Sequence, residues 1–276
     1  MHQVTVAKNG VRIRKAHLDT DVEPLCEKTY TLPSAKETAP GEYTVTVSFC
    51  LKESTVWAEA GHEVAFGQYV YEVKAEKPAC TRPVEVIRSK HNIGVRGENF
   101  DVLFSVLNGG LVSYRYAGKE MIAEIPKPNF WRAPVDNDQG NQMPKRYAQW
   151  KIASMYVDHK DFRGSDCCRI LEPEVEEGEH SVKVTYTYLM PTTPVSQCTL
   201  AYEVTGDGRI RTTLSYDPVK ELGDMPEFGV MFKLNADYDH VKWYGLGPAE
   251  TYADRKKGAK LGIYENMVKD NMARYI

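Results

Sequence analysis

Apolar residues recur at every second position over long stretches of this chain. Val182, Val184, Tyr186 and Tyr188 alternate with Lys183, Thr185 and Thr187, and Leu200, Tyr202 and Val204 repeat the pattern. Ile210, Thr212, Leu214 and Tyr216 alternate with Arg209, Arg211, Thr213 and Ser215, as Tyr43, Val45, Val47 and Phe49 do with their own neighbours. A period of two places one face of a strand on a core and the other toward water, the habit of antiparallel sheets. Turn residues separate the runs. Gly206-Asp207-Gly208 joins two of them directly, and Asn108-Gly109-Gly110 follows Phe104-Ser105-Val106-Leu107. Long amphipathic stretches of helical period are absent. The one helix predicted is short and lies within 249–267, where Tyr252, Ala259 and Ile263 are loosely periodic. The class predicted is all-β, of sandwich type.

The pattern breaks at 75–83, where Pro78 and Pro83 bracket a stretch with few core residues, and this predicts a domain 1–76 followed by a domain 84–276. About four strands precede the break, short of the roughly seven of a complete immunoglobulin-like sandwich. About ten follow it, and the last of them runs to Tyr275-Ile276 without a polar tail. Both ends are expected to fall inside domains.

Composition narrows the function classes. Of 276 residues, 42% are hydrophobic and 26% charged, the balance of a soluble globular protein. Lys plus Arg number 35 against 38 Asp plus Glu, so no basic surface is expected for a nucleic acid. No apolar run approaches the roughly 20 residues of a membrane-spanning helix. The six cysteines (26, 50, 80, 167, 168, 198) form no Cys-x-x-Cys pair, and the vicinal Cys167-Cys168 is poor geometry for an ordinary disulfide. They are expected as buried thiols in a reducing compartment. Met1-His2-Gln3-Val4 lacks the regions of a signal peptide. Together these point to the cytoplasm. The seven histidines never take metal-site spacing, and none has the local context of an acid–base pair. No Gly-x-Ser-x-Gly elbow occurs. Gly245-Leu246-Gly247-Pro248 lacks the third glycine of a dinucleotide loop and is expected to be a turn that uses glycine's backbone freedom.

Two dense clusters remain. The first runs Asn129-Phe130-Trp131-Arg132-Ala133-Pro134-Val135-Asp136-Asn137-Asp138-Gln139-Gly140. As a structural corner, Phe130 and Trp131 would anchor it while Asp136 or Asn137 caps backbone amides. As a binding loop, Trp131 would stack on a sugar face while Arg132, Asp136, Asn137 and Asp138 pair with hydroxyls. The second runs from Val241 through Trp243-Tyr244-Gly245-Leu246-Gly247-Pro248-Ala249-Glu250-Thr251-Tyr252-Ala253-Asp254-Arg255. Packing around a salt-bridged bend is its simplest explanation.

Both clusters resemble signatures of the C-terminal, small-chain domain of β-galactosidases of glycoside hydrolase family 2. Residues 130–140 are similar to that domain's Phe-Trp-Arg-Ala-Pro-x-Asp-Asn-Asp-x-Gly, ending at Gly140. Residues 245–255 are similar to its Gly-x-Gly-Pro-x-Glu-x-Tyr-x-Asp-Arg, matched by Gly245, Gly247, Pro248, Glu250, Tyr252, Asp254 and Arg255. Met225-Pro226-Glu227-Phe228-Gly229 resembles a preceding Leu-Pro-Arg-x-Gly segment, with Met and Glu as departures. Val56-Trp57 through Gln68 resembles the end of the immunoglobulin-like domain placed just upstream. The resemblance covers essentially the whole chain. It implies a partial immunoglobulin-like sandwich followed by a large antiparallel super-sandwich of galactose-mutarotase-like type, beginning inside the one and stopping inside the other.

The resemblance also implies an activity housed elsewhere. Retaining hydrolysis of β-galactosides uses two glutamates about 5 Å apart, and in this family they lie in an upstream (β/α)₈ barrel. The acid/base glutamate there follows an asparagine, and this chain has no Asn-Glu dipeptide. No catalytic residue is therefore carried over. What the resemblance implies for this chain is a role beside the barrel, walling the sugar pocket, with Trp131, Arg132, Asp136, Asn137, Asp138 and Gly140 as pocket or loop candidates. The expected partners are the barrel and N-terminal domains of a homo-oligomeric parent and its galactoside, with magnesium and sodium at sites in the barrel and no cofactor or metal here. The alternatives are a stand-alone carbohydrate-binding module, an aldose-epimerase-like sandwich, and the small subunit of a two-chain enzyme, which would be expected to begin near residue 85.

Overall fold

The computed structural model describes residues 2–76, 78–165 and 168–271. Four strands open the chain: β1 (His2–Lys8), β2 (Val11–Leu18), β3 (Gly41–Cys50) and β4 (Glu63–Val73) form one antiparallel sheet in the order β2-β1-β3-β4. Val4 pairs with Val47 and Val6 with Val45, so the alternating apolar residues of two strands meet on one face, where Val4, Val6 and Tyr43 are buried.

A five-stranded antiparallel meander follows, of β5 (Glu85–Arg88), β6 (Asn92–Arg96), β7 (Phe100–Ser105), β8 (Gly110–Tyr116) and β9 (Lys119–Glu120). After β10 (Glu124–Asn129) come three helices: α1 (Asp136–Gly140), α2 (Met143–Arg146) and α3 (Ala148–Tyr156). A two-stranded pair, β11 (Lys160–Asp161) with β12 (Arg169–Ile170), leads to a four-stranded meander. This is built of β13 (Glu174–Glu177), β14 (Ser181–Met190), β15 (Ser196–Thr205) and β16 (Ile210–Tyr216). β17 (Gly229–Lys233) returns to pair with β10, and the chain ends in a hairpin of β18 (His240–Gly247) and β19 (Lys260–Met267). Among the described residues every strand pairing is antiparallel, and the chain is all-β as its alternation predicts.

The chain divides into two compact units. One comprises Met1–Pro78 together with Asp239–Met272, and the other is built on Ala79–Tyr238. In the second, two meanders face each other across a core. Val95, Phe104 and Leu111 come from one sheet, and Val184, Tyr186, Leu200 and Tyr202 from the other. Phe104 and Tyr202 lie 5.5 Å apart between ring centroids. The core tyrosines bring hydroxyls that need partners. The Tyr186 hydroxyl donates to the Ser105 carbonyl at 3.1 Å and that of Tyr188 to the Gly109 carbonyl at 2.6 Å. Burial pushes both phenols up from their ordinary pKa, so they stay protonated donors. In the first unit the β18–β19 hairpin is tied to the sheet. Gln68 exchanges two hydrogen bonds with the main chain of Leu261, at 3.1 and 2.8 Å, and the Tyr244 hydroxyl donates to Glu42 at 2.6 Å.

Four expectations are corrected. The helix predicted within 249–267 is not formed: a 3₁₀ turn occupies Lys256–Gly258 and β19 takes 260–267. There Tyr264 pairs with Trp243 and Leu261 with Leu246, and cross-strand packing outweighs a loose helical period. The helices at 136–156 were unforeseen. Fifteen strands rather than about ten follow the break among the described residues; β9, β11 and β12 have two residues each, too few to alternate. The thiols are not uniformly buried: Cys198 is, Cys50 and Cys80 are half-buried, Cys26 and Cys168 are exposed, and Cys167 lies outside the described residues.

Candidate functional site

The first cluster begins where β10 ends. Phe130 is fully buried, 5.8 Å from Trp150 and 6.3 Å from Phe228 between ring centroids. Its amide donates to the Ser154 hydroxyl at 2.8 Å, which in turn donates to the Trp150 carbonyl. Asn129 donates to the Trp131 carbonyl at 2.8 Å, and Trp131 packs half-buried against the core. The chain is thus fixed on both sides of Arg132.

The Arg132 guanidinium makes a two-pronged contact with Asp138, at 2.5 and 2.8 Å, and its Nε donates to the Pro226 carbonyl at 3.2 Å. Asp138 also accepts from the Val135 amide at 3.0 Å, holding the first turn of α1 from its third position. Burial acts to raise the Asp138 pKa, but the Arg132 hydrogen bonds, the Val135 amide and the guanidinium charge outweigh it, and the carboxyl lies below its ordinary value. The acidic run expected as a turn is therefore a short helix, capped by Asp138 rather than by Asp136 or Asn137. Asp136, Asn137 and Gly140 are exposed. A Cβ built on Gly140 meets nothing within 4 Å, so no steric demand for glycine acts there.

Sequence reasoning set the Met225–Gly229 segment ahead of the second cluster and gave no sign that it touches the first. Pro226 contributes a carbonyl and Phe228 a ring, contacts that carry no local sequence signal because a backbone acceptor can come from any residue.

The second cluster lies in the other unit. Gly245 and Gly247, expected in a turn, lie within β18 opposite Gly262 and Lys260. At Gly247 an added Cβ would sit 2.7 Å from the Tyr264 ring, so the glycine serves a close approach between strands. Beyond Pro248 the chain turns: Arg255 and Lys256 both donate main-chain N–H to the Tyr252 carbonyl, at 2.8 and 2.9 Å. Arg255 pairs with Glu250 at 3.2 Å, each about half exposed, a surface bridge worth roughly 0–1 kcal/mol. Asp254 is exposed. Gly247, Pro248, Glu250 and Arg255 line a cavity of about 280 Å³. Among the described residues, no three His, Cys, Asp or Glu side chains converge as a metal site, and no helix is long and apolar enough to cross a membrane.

The model of the family described as "Beta galactosidase small chain" matches residues 96–276, a span that holds both clusters. This chain belongs to that family. A second model, "Beta-galactosidase, domain 4", matches residues 2–72, the segment of β1–β4. Among curated relatives, the Beta-galactosidase of Clostridium acetobutylicum is 39% identical over 95% of this chain and 28% of its own length. That of Halalkalibacterium halodurans is 40% identical over 86% of this chain and 23% of its own length. The Beta-galactosidase small subunit of Latilactobacillus sakei is 34% identical over 65% of this chain and 59% of its own length. The small-chain family member described here thus spans about a quarter of the longer relatives it matches.

Proposed function

We propose that this chain is a non-catalytic C-terminal part of a β-galactosidase, which supports a separate catalytic barrel and walls its sugar pocket. The order of the two family matches, 2–72 then 96–276, carries the proposal, because a much longer β-galactosidase relative aligns across both in one stretch covering 95% of this chain. That order also favours a single-chain parent over a two-chain one, although a small-subunit relative matches. Among the described residues every strand pairing is antiparallel, which offers no (β/α)₈ barrel, and the sequence has no Asn-Glu pair to serve as its acid/base glutamate. In the proposed arrangement Arg132 and Asp138 hold the corner, while Asp136 and Asn137, exposed at the start of α1, face the galactoside. The parent is a cytoplasmic homo-oligomer, and its magnesium and sodium belong to the barrel.

Hydrolysis of a chromogenic β-galactoside tests this, measured for the chain alone, for a barrel-containing portion lacking it, and for the mixture. Activity in the mixture alone is expected. Turnover by the chain alone overturns the non-catalytic role, and full activity of the barrel portion alone overturns the pocket-wall role.

A further inference from the structure

Within the 79–238 unit a cleft of about 280 Å³ opens where the β7–β8 turn, β10, the end of α3 and β14 meet. Asn108, Lys127, Tyr156, Asp158, His159 and Tyr188 line it. His159 is 4% exposed, and its buried Nε2 has no hydrogen-bond partner in the protein. Its Nδ1 lies 3.0 Å from the Asp158 carboxylate. The ring rests on Gly109, where an added Cβ would sit 2.1 Å from Nδ1. The main chain of Asp158 exchanges two hydrogen bonds with Leu189, at 3.1 and 2.7 Å, and the His159 carbonyl accepts from Leu171 at 2.8 Å. The imidazole is held before any ligand arrives.

We propose that this cleft binds a neutral saccharide, one ring at a time. The polar groups are of mixed sign, an ammonium on Lys127 and a carboxylate on Asp158, which disfavours a purely anionic or cationic ligand. Sugar hydroxyls both donate and accept, so one ring satisfies the Asn108 amide, the carboxylate and the ammonium together, beside the His159 ring that lines the cleft. Tyr156, 64% exposed at the rim, offers an aromatic face for the C–H side of the ring. The volume lies near the lower limit of the roughly 300–1,000 Å³ usual for ligand pockets, which restricts the occupant to monosaccharide size. The inference rests on the cleft's own groups and not on the galactosidase proposal.

The test is a ¹⁵N-histidine NMR titration of the full chain with D-galactose and D-glucose, and in parallel with sodium phosphate. A saturable shift of the His159 ring nitrogens with a sugar is expected. Affinity should fall about tenfold or more in Lys127→Ala or Tyr156→Ala, both surface changes whose folding is checked by unchanged melting. No saturable shift up to the solubility of either sugar overturns the proposal, as does a response to phosphate alone. Sugar affinity unchanged in both variants also overturns it, since the ligand would then sit elsewhere.

Discussion

Asp138 and Asp136 stand two residues apart and live in different solvents. Asp136 is exposed, whereas Asp138 is 7% exposed and accepts two hydrogen bonds from the Arg132 guanidinium. Asp138→Asn leaves a partly buried guanidinium facing a neutral amide, and is expected to cost about 2–4 kcal/mol in chemical denaturation at pH 7. The sign of its pH dependence follows from the lowered folded pKa. The stabilisation is complete above the unfolded aspartate value of about 3.9 and is lost as pH falls through the lower folded value. The gap between parent and variant should therefore close in acid and stay constant from pH 5 to 8; a gap that widens below pH 4 would contradict the pairing. The sequence marked these residues as members of one cluster, but offered Arg132 and Asp138 to sugar hydroxyls rather than to each other. It could not say which acid would be the buried one, because that depends on the Pro226 carbonyl, 94 residues from Arg132 in the chain.

At the scale of elements, the long strands were legible and the short or packed ones were not. β14, β15 and β16 alternate for seven to ten residues, and the register of β15 with β16 follows from the Gly206-Asp207-Gly208 turn. Helix α3 presents only Trp150 and Ala153 to the core within nine residues, too weak a stripe to detect as a helical period. Its place is fixed by tertiary contact instead: Trp150 is fully buried between Phe130 and Tyr216, 5.8 and 5.9 Å away between ring centroids. Trp150→Ala is accordingly expected to lose about 3–5 kcal/mol, with unfolding in urea as the measurement. A loss below 1 kcal/mol would mean that the helix is pinned by something other than its indole. The same competition explains β19, whose Leu261, Ile263 and Tyr264 find cross-strand partners in β18 that no window of neighbouring residues reveals.

At the scale of the molecule, one unit is made of two distant stretches of chain. The tie between them is specific: Lys260 pairs with Glu63 at 2.5 Å, Tyr244 reaches Glu42, and Leu261 is bracketed by Gln68. A single engineered protease cut after the exposed Glu76 should therefore leave both fragments co-eluting on size exclusion and separating only in denaturant; separate elution in buffer would show that the hairpin does not hold the sheet. No run of residues announces this return, since the pairing joins positions nearly two hundred apart in sequence. It also imposes a timetable on synthesis. The 166 residues between Val73 and His240 take roughly 10–30 s to make at ribosomal speed. For that interval the first sheet is complete but without its hairpin, and its yield in the cell depends on what else is nearby to meet its open face.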